Sequence, residues 1–324
     1  MKKQTKRIIS PQTLSFIIMM AACLIVFTIL KPSYIQPDNL YTILMNSMLP
    51  AVLALSMGIV IAAGGFDLSI GHMAGFSALM CGFFLRDIGT GSRMAMLIAV
   101  MLGIILGILN GLMVTKLGIS SFIVTLGMQF VLTGVRQWIS GGDSYRASKT
   151  IKALTQSKVG SVPMLIIVSL LIIIIVGFII QKTSFGRKIQ FVGSNITASE
   201  YLGIPVRRYT FIAFVLSGGI AGIVGVLQFS KLTSATINIG DGWLFNSMTI
   251  AVFSSVIFGK FKAHGIVLVS ILITMITVGI NMLGVSASWT NLMLGIILIV
   301  SLLCGKYIDF GKLGKKGKGV ENGC

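Results

Sequence analysis

Long apolar runs recur along nearly the whole chain and are separated by short polar segments. A run of about 20 apolar residues is long enough to cross a bilayer core of about 30 Å. The short alternating segments typical of barrel strands are not seen, and the other structure that satisfies its backbone in lipid is the helix. The pattern therefore predicts an all-α integral membrane protein, a polytopic bundle of about ten transmembrane helices. The predicted spans are 14–30, 40–63, 68–86, 94–115, 119–139, 162–181, 209–229, 245–259, 265–283 and 288–304.

Composition supports the same fold class. Of 324 residues, 55% are hydrophobic and only 10% are charged, against about 25% charged in an ordinary soluble domain. The net charge of +18 could suggest a nucleic-acid partner. However, the basic residues cluster at the termini and in short loops, as the positive-inside rule predicts for cytoplasmic segments. We therefore predict that the chain lies in a lipid bilayer and does not bind nucleic acid.

The basic segments also predict the topology. Ten spans place four of them on one side, the cytoplasm: 1–13, 182–208, 260–264 and the tail 306–324. The chain then has a cytoplasmic N-terminus, a transmembrane domain over 14–305 and a basic cytoplasmic tail, and we expect it in a cytoplasmic (inner) membrane. The loop 140–160 is basic too, yet falls outside. The number of transmembrane spans near 64–92 is thus open, since one apolar run there could be re-entrant instead of spanning.

Two pairs of short motifs suggest an internal repeat. Asn46-Ser47-Met48 resembles Asn246-Ser247-Met248, and Asn110-Gly111-Leu112 resembles Asn281-Met282-Leu283. Such repeats are common in transporters, where the pathway lies at their interface. Asn46, Asn110 and Asn246 are therefore candidates for a substrate pathway. The many glycines inside the spans fit this picture, but ordinary close packing of helices explains them equally well.

Asp67 is an acidic residue within an apolar region, in the run from Ala63 to Gly71. An acid inside the membrane costs about 2.5 kcal/mol or more on insertion scales, and usually faces a pathway or a partner. Four interpretations remain open. Asp67 could line the substrate route together with Ser69 and Thr125, cap the helix that follows a break, relay protons, or lie in a simple surface loop.

The segment 182–208 is the one sizeable cytoplasmic loop of this topology. Asn195 and Thr197 are helix-start signals, and Gly203 is a stop signal. A short amphipathic helix here could dock on a cytoplasmic partner, although a plain connecting loop is the simpler interpretation.

Signals for an enzyme are missing. His72 and His264 are the histidines of the chain, and neither has a cysteine or acid at metal-ligand spacing. The 4 cysteines show no CxxC spacing, and the glycine- and lysine-rich stretch 311–318 does not fit a phosphate-binding loop. We predict no catalytic residue, no metal and no cofactor. If ATP drives the protein, the ATPase is a separate chain.

Three stretches resemble the membrane permease subunits of bacterial ABC importers of the ribose, galactose, xylose and autoinducer-2 type. They are the GGxDLSxG-like run 64–71, the GxxxFIxTLG-like run 118–127, and a cytoplasmic loop with Thr183 to Arg187, Gly193, Asn195, Ala198, Gly203 and Ile204. The likeness covers about residues 14 to 305.

The resemblance implies a permease for a sugar or sugar-like solute, most simply a ribose-type monosaccharide. Such permeases pair as homo- or heterodimers, are driven by cytoplasmic ABC ATPase subunits and receive the solute from an extracytoplasmic solute-binding protein. The loop 182–208 then couples the permease to the ATPase. Its candidate coupling residues are Phe185, Gly186, Arg187, Gly193, Asn195, Ala198, Glu200 and Gly203.

The chain departs from the family pattern before the eighth span. An acidic, ELDAIAA-like stretch is usual there, whereas this chain has the uncharged run 242–251, and the paired glycines of the following turn are lost at 259–265. The sugar is thus open, and the chain could be the diverged half of a heterodimer. A gradient-driven secondary transporter with Asp67 as coupling acid is the main alternative. A membrane enzyme or anchor would need a catalytic cluster or a soluble domain.

Overall fold

The computed structural model describes residues 11–258, 261–285, 289, 292–300 and 303, and this part of the chain is a bundle of α-helices. The helices are α1 (Pro11–Leu30), α2 (Pro37–Ala62), α3 (Ile70–Arg86), α4 (Ser92–Thr115), α5 (Ser121–Ser140), α6 (Lys149–Gln156), α7 (Met164–Lys182), α8 (Ser184–Ser194), α9 (Ile196–Tyr201), α10 (Val206–Leu232), α11 (Trp243–Phe258) and α12 (Ala263–Met282). A short 3-10 helix, Pro32–Ile35, joins the first two α-helices.

The predicted spans agree with the helices to within a few residues. Among the residues that the structure describes, six helices, α2, α4, α5, α7, α10 and α12, are long and apolar enough to cross a membrane, and three further apolar stretches of helix are shorter, Phe16–Leu30, α3 and α11. The stretch 64–92, in which the number of spans was open, holds a 17-residue helix, α3, and α4 begins at its last residue, Ser92. The last predicted span lies largely outside the described residues, although 292–300 are helical.

Four strands of two residues each were not predicted. β1 (Tyr145–Arg146) pairs with β4 (Ser234–Ala235), and β2 (Lys158–Val159) pairs with β3 (Val162–Pro163), both antiparallel. Segments this short follow from tertiary contacts and not from a periodic sequence pattern. They do not change the all-α class.

Helix α10 lies in the middle of the bundle and packs against α2, α3 and α4. Glycines allow its closest approach to α4: a Cβ at Gly218 would lie 2.3 Å from the carbonyl oxygen of Gly103. Small residues let helix backbones approach within van der Waals distance, which is a main source of helix association in lipid. The glycines inside these two predicted spans are therefore required by packing.

The two large loops lie at opposite ends of α10. At the C-terminal end of α10, the Ser230 hydroxyl lies 2.7 Å from the Thr155 hydroxyl, and this contact holds the segment 141–163 there. Near its beginning, the Tyr209 ring lies 5.6 Å from the Phe185 ring, which fixes the segment 183–205 to the other. We refer to the first as the α6 end and to the second as the α8 end.

Candidate functional site

A cavity of about 270 Å³ opens between α2, α10, α11 and α12 near the α6 end of the bundle. Its size is close to the lower limit of roughly 300 Å³ that is common for small-molecule sites. Apolar side chains form much of its wall, and polar side chains from all four helices reach it: Asn46, Gln228, Lys231, Asn246, Thr277 and Asn281. Trp243 adds an aromatic face. An apolar wall with a few convergent polar groups is typical of a binding site.

Asn46 is held in place on the cavity wall by Lys231. The Lys231 amine donates to the Asn46 side-chain oxygen at 2.8 Å and to the Met45 carbonyl at 3.3 Å. Pro50, inside α2, has no N–H to bond to the carbonyl four residues earlier, which is that of Asn46. This stretch of α2 therefore carries acceptors that the helix itself does not use.

Asn246 faces the same cavity from α11. Its side-chain oxygen is buried and has no hydrogen-bond partner within the described residues. Buried polar atoms are rarely left unpaired, so an acceptor of this kind indicates a place where a solute or water donates a hydrogen bond.

Asp67 belongs to a second, separate cluster, which we call the α3-start cluster: Asp67, Ser69, Asn110, Thr125 and Ser217. Asp67 is fully buried. One carboxylate oxygen accepts from the Ser69 backbone N–H at 3.0 Å and from its hydroxyl at 2.6 Å. The other accepts from the Ser217 hydroxyl at 2.8 Å. These bonds fix the turn that starts α3 to the middle of α10.

The remaining members hold the same turn from α4 and α5. The Asn110 amide donates to the Ser69 hydroxyl at 3.0 Å, and the Thr125 hydroxyl accepts from the Leu68 N–H at 3.0 Å. The Leu68 and Ser69 backbone donors, which precede the first helical turn, are thus satisfied by side chains. None of the α3-start cluster lines the cavity described above.

The predicted pathway residues are thus divided between two places. Asn46 and Asn246 lie together on the cavity wall, whereas Asp67, Ser69, Asn110 and Thr125 form the α3-start cluster. The full burial of Asp67 does not fit a surface loop. Asp67 accepts from the Ser69 N–H at the start of α3. The N-cap residue of that helix is Ser69 and not Asp67.

The segment 182–208 contains two short helices instead of a plain loop. The Thr183 hydroxyl accepts from the Gly186 N–H at the start of α8, and the Asn195 side chain accepts from the Ala198 N–H at 2.8 Å at the start of α9. Gly203 has a φ of +71°, a backbone conformation that favours glycine, and ends this pair of helices.

Contacts with the bundle hold α8 in place. Gly193 packs against the end of α2, where a Cβ would lie 2.3 Å from the Ala62 carbonyl oxygen, and Gly186 packs as closely on the backbone of Ile180. The Arg187 side chain donates to the Lys182 carbonyl at 3.2 Å, and Glu200 is exposed. The tip of α9 is apolar and unprotected: Tyr201 is 89% and Leu202 67% exposed.

Arg136 is a residue that the sequence patterns did not single out. It is buried, with 1% exposure, near the C-terminal end of α5. Its guanidinium donates to the Ile239 carbonyl and to the Asp241 carboxylate at 3.1 Å, which ties α5 to the segment that leads into α11. An arginine inside a predicted span is the signal that could have found it.

Comparison with known proteins agrees with this architecture. Residues 39–302 match the model of the family described as "Branched-chain amino acid transport system / permease component". The chain belongs to this family. It is therefore a multi-pass inner-membrane transport subunit and not an enzyme. It works with a separate ATPase subunit and a solute-binding protein.

Several relatives match over most of their length. The ribose import permease protein RbsC of Bacillus subtilis is 30% identical over 86% of this chain and 88% of its own length. The protein of the same name in Escherichia coli K12 is 24% identical over 85% and 87%. The D-allose transport system permease protein AlsC of Escherichia coli K12 is 26% identical over 90% of each chain. Each of these matches covers at least 85% of this chain.

Proposed function

We propose that this chain forms the membrane pathway for a ribose-type monosaccharide or a sugar-like solute in an ATP-driven importer. The observation that carries the proposal is the cavity, whose asparagine and glutamine side chains can exchange hydrogen bonds with hydroxyl groups and whose Trp243 can stack on a sugar ring. The relatives named for ribose and allose import support the same solute class.

We further propose that the α8 end faces the cytoplasm and the α6 end faces outside. Ten spans with both termini inside place the basic N-terminus, the segment 182–208 and the tail on the cytoplasmic side. The opposite positions of the segments 141–163 and 183–205 support this arrangement, because the basic loop 140–160 then requires no extra span. Its basic residues lie at the extracytoplasmic surface.

In this orientation α8 and α9 form the surface that receives the ATPase. Tyr201 and Leu202 are large apolar side chains at a loop tip in water, and such exposed apolar groups indicate a protein contact. The packing of Gly193 on the end of α2 gives a rigid connection from that surface to the helix that carries Asn46. Movement of α8 is therefore transmitted to the cavity wall.

A gradient-driven transporter with Asp67 as coupling acid receives no support from the geometry. A coupling acid must exchange ions with the pathway, and Asp67 is bonded to three donors at a distance from the cavity wall. We therefore propose that Asp67 is a structural residue that fixes the start of α3.

ATP-driven uptake tests the proposed function. The permease is reconstituted in proteoliposomes with its ATPase inside and its solute-binding protein outside, and uptake of labelled D-ribose and related solutes is measured. We expect uptake that requires internal ATP and survives ionophores that collapse proton and sodium gradients. Uptake that survives without ATP and ends with the ionophores would contradict it.

The same reconstitution tests the partner arrangement. We propose a dimer in the membrane, and the loss of the acidic stretch at 242–251 supports a heterodimer with a second, different permease. Robust ATP-coupled uptake by this chain and its ATPase, with no second permease present, would exclude the heterodimer and leave the homodimer.

A further inference from the structure

The cavity contains a positive charge that no carboxylate of the described chain balances. Lys231 lines it, and its contacts are with two neutral oxygens, the Asn46 side chain and the Met45 carbonyl. None of the ion pairs among the described residues involves this lysine. Lys231 is partly buried, and a buried charge is costly unless it is paired.

The acidic residues of the described chain are all placed elsewhere. The whole sequence has 8 acidic residues, and six of them lie in the described part of the chain. Asp38 is exposed in the first turn of α2, Asp67 is in the α3-start cluster, and Glu200 is exposed on α9. Asp87 and Asp143 bind Arg86, and Asp241 binds Arg136. The remaining two, Asp309 and Glu321, are in the C-terminal tail outside the described residues.

The segment 242–251 supplies no counter-charge to Lys231, because it contains no acidic residue. Asn246 lies in the cavity with Lys231. The cavity wall therefore has a cation on α10 and a neutral amide on α11.

Lys231 also has the capacity to bind a solute. An ammonium group has three N–H donors, and the described neighbours accept two of them. The third is available to a group in the cavity. Neighbouring amides from Asn46, Gln228 and Asn281 are suited to hydroxyl groups.

We propose that the solute carried through this cavity is an anionic, polyhydroxylated molecule, of which a sugar acid is the simplest example. Its anionic group binds Lys231, and its hydroxyl groups bind the surrounding amides. This inference rests on the proposed function, since it narrows the solute class of the same pathway. It differs from that function in excluding an uncharged sugar as the preferred solute.

Binding to the permease alone tests the inference without the specificity of the solute-binding protein. The purified permease in lipid nanodiscs is titrated at fixed ionic strength with D-gluconate, D-ribose 5-phosphate and D-ribose, and tryptophan fluorescence is followed. Trp243 lies on the cavity wall, and the W243F variant identifies its share of the signal. We expect saturable binding of an anion at least about tenfold tighter than that of D-ribose, because a hydrogen bond to a charged group is worth more than a neutral one.

Two variants of the lysine make the test specific. K231M should remove the preference for the anions, and K231R should retain it, because arginine keeps the charge. Thermal unfolding verifies that both variants are folded, and if K231M is not, K231R and the weakening of anion binding by salt carry the test. Tighter binding of D-gluconate supports a carboxylate, and tighter binding of D-ribose 5-phosphate supports a phosphate.

Three results would overturn the inference. They are equal affinity for D-ribose and the anions, an anion preference that persists in folded K231M, and no fluorescence change with any probe. A different result would contradict the proposed function: solute uptake in proteoliposomes that does not depend on ATP. ATP-driven uptake of D-ribose that K231M leaves unchanged would preserve the proposed function and refute the anionic solute.

Discussion

Replacement of Asp67 separates a structural role from a role in transport. In D67A the Ser69 N–H and hydroxyl and the Ser217 hydroxyl lose their acceptor, in a place that is fully buried. The Ser217 hydroxyl can turn to Ser56, whose hydroxyl oxygen lies 2.9 Å away, so two donors remain unsatisfied. At about 1–3 kcal/mol for each buried unsatisfied group, the free energy of unfolding should fall by about 2–6 kcal/mol.

The conservative variant should behave differently. In D67N the side-chain oxygen can still accept both bonds from Ser69, and only the contact with Ser217 changes. We expect a loss of about 1 kcal/mol and ATP-driven uptake close to that of the parent. D143N, at an exposed carboxylate with 66% side-chain exposure, is the control for removal of an acid without burial.

The assay is reversible unfolding of the purified permease in mixed micelles by sodium dodecyl sulfate, followed by circular dichroism, with uptake measured in parallel. An unfolding curve of D67A that overlays the parent would refute the structural role. So would a D67N variant that unfolds like the parent but no longer transports, since that result places Asp67 in the solute route or in a proton relay.

Further predictions concern α8 and the α6 end. G193A should move α8 away from α2, because its Cβ would lie 2.3 Å from the Ala62 carbonyl oxygen, and solute should no longer stimulate the ATPase in the assembled complex. In the control G89A, in the loop between α3 and α4, open space surrounds the Cβ, so we expect only the cost of a positive φ, about 1 kcal/mol; equal stimulation in both variants would contradict the docking role. The hydrogen bond from the Arg86 guanidinium holds the pKa of Asp87 below its usual value. This contribution to stability is therefore present above about pH 3.9 and is lost as the pH falls through the lower pKa of the folded state. In melting experiments the parent should approach D87N at low pH, and a constant difference would contradict it.

The helix positions could be predicted because apolar runs of membrane length are a strong signal. The predicted span 40–63 and the helix Pro37–Ala62 differ by at most three residues, and Pro37 marks the start, as proline does in a first helical turn. The cap of α9 followed from Asn195 in the same local way, whereas the cap of α8 at Thr183 was not predicted. The α6 end, with its two strand pairs, depends on contacts between distant segments and was not predicted.

The cavity was predicted only in part. The repeated Asn-Ser-Met motif indicated Asn46 and Asn246, which share the wall. Lys231 lies outside the predicted span 209–229, whereas α10 continues to Leu232. A cation at the end of an apolar run is usually a membrane-surface anchor. Only the packing of α10 against α2 shows that this one reaches a cavity.

Accessibility of Asn246 to labelling tests most directly the central claim, that the cavity is the route and the α3-start cluster is not. N246C and S69C are made in a permease whose 4 native cysteines are replaced by alanine, and each is assembled with its ATPase. A membrane-impermeant maleimide is then added from either side, with and without ATP. We predict that N246C changes from external to internal labelling during the ATPase cycle, while S69C remains unlabelled in every state. Labelling of S69C that follows the cycle, with N246C inert, would contradict this prediction.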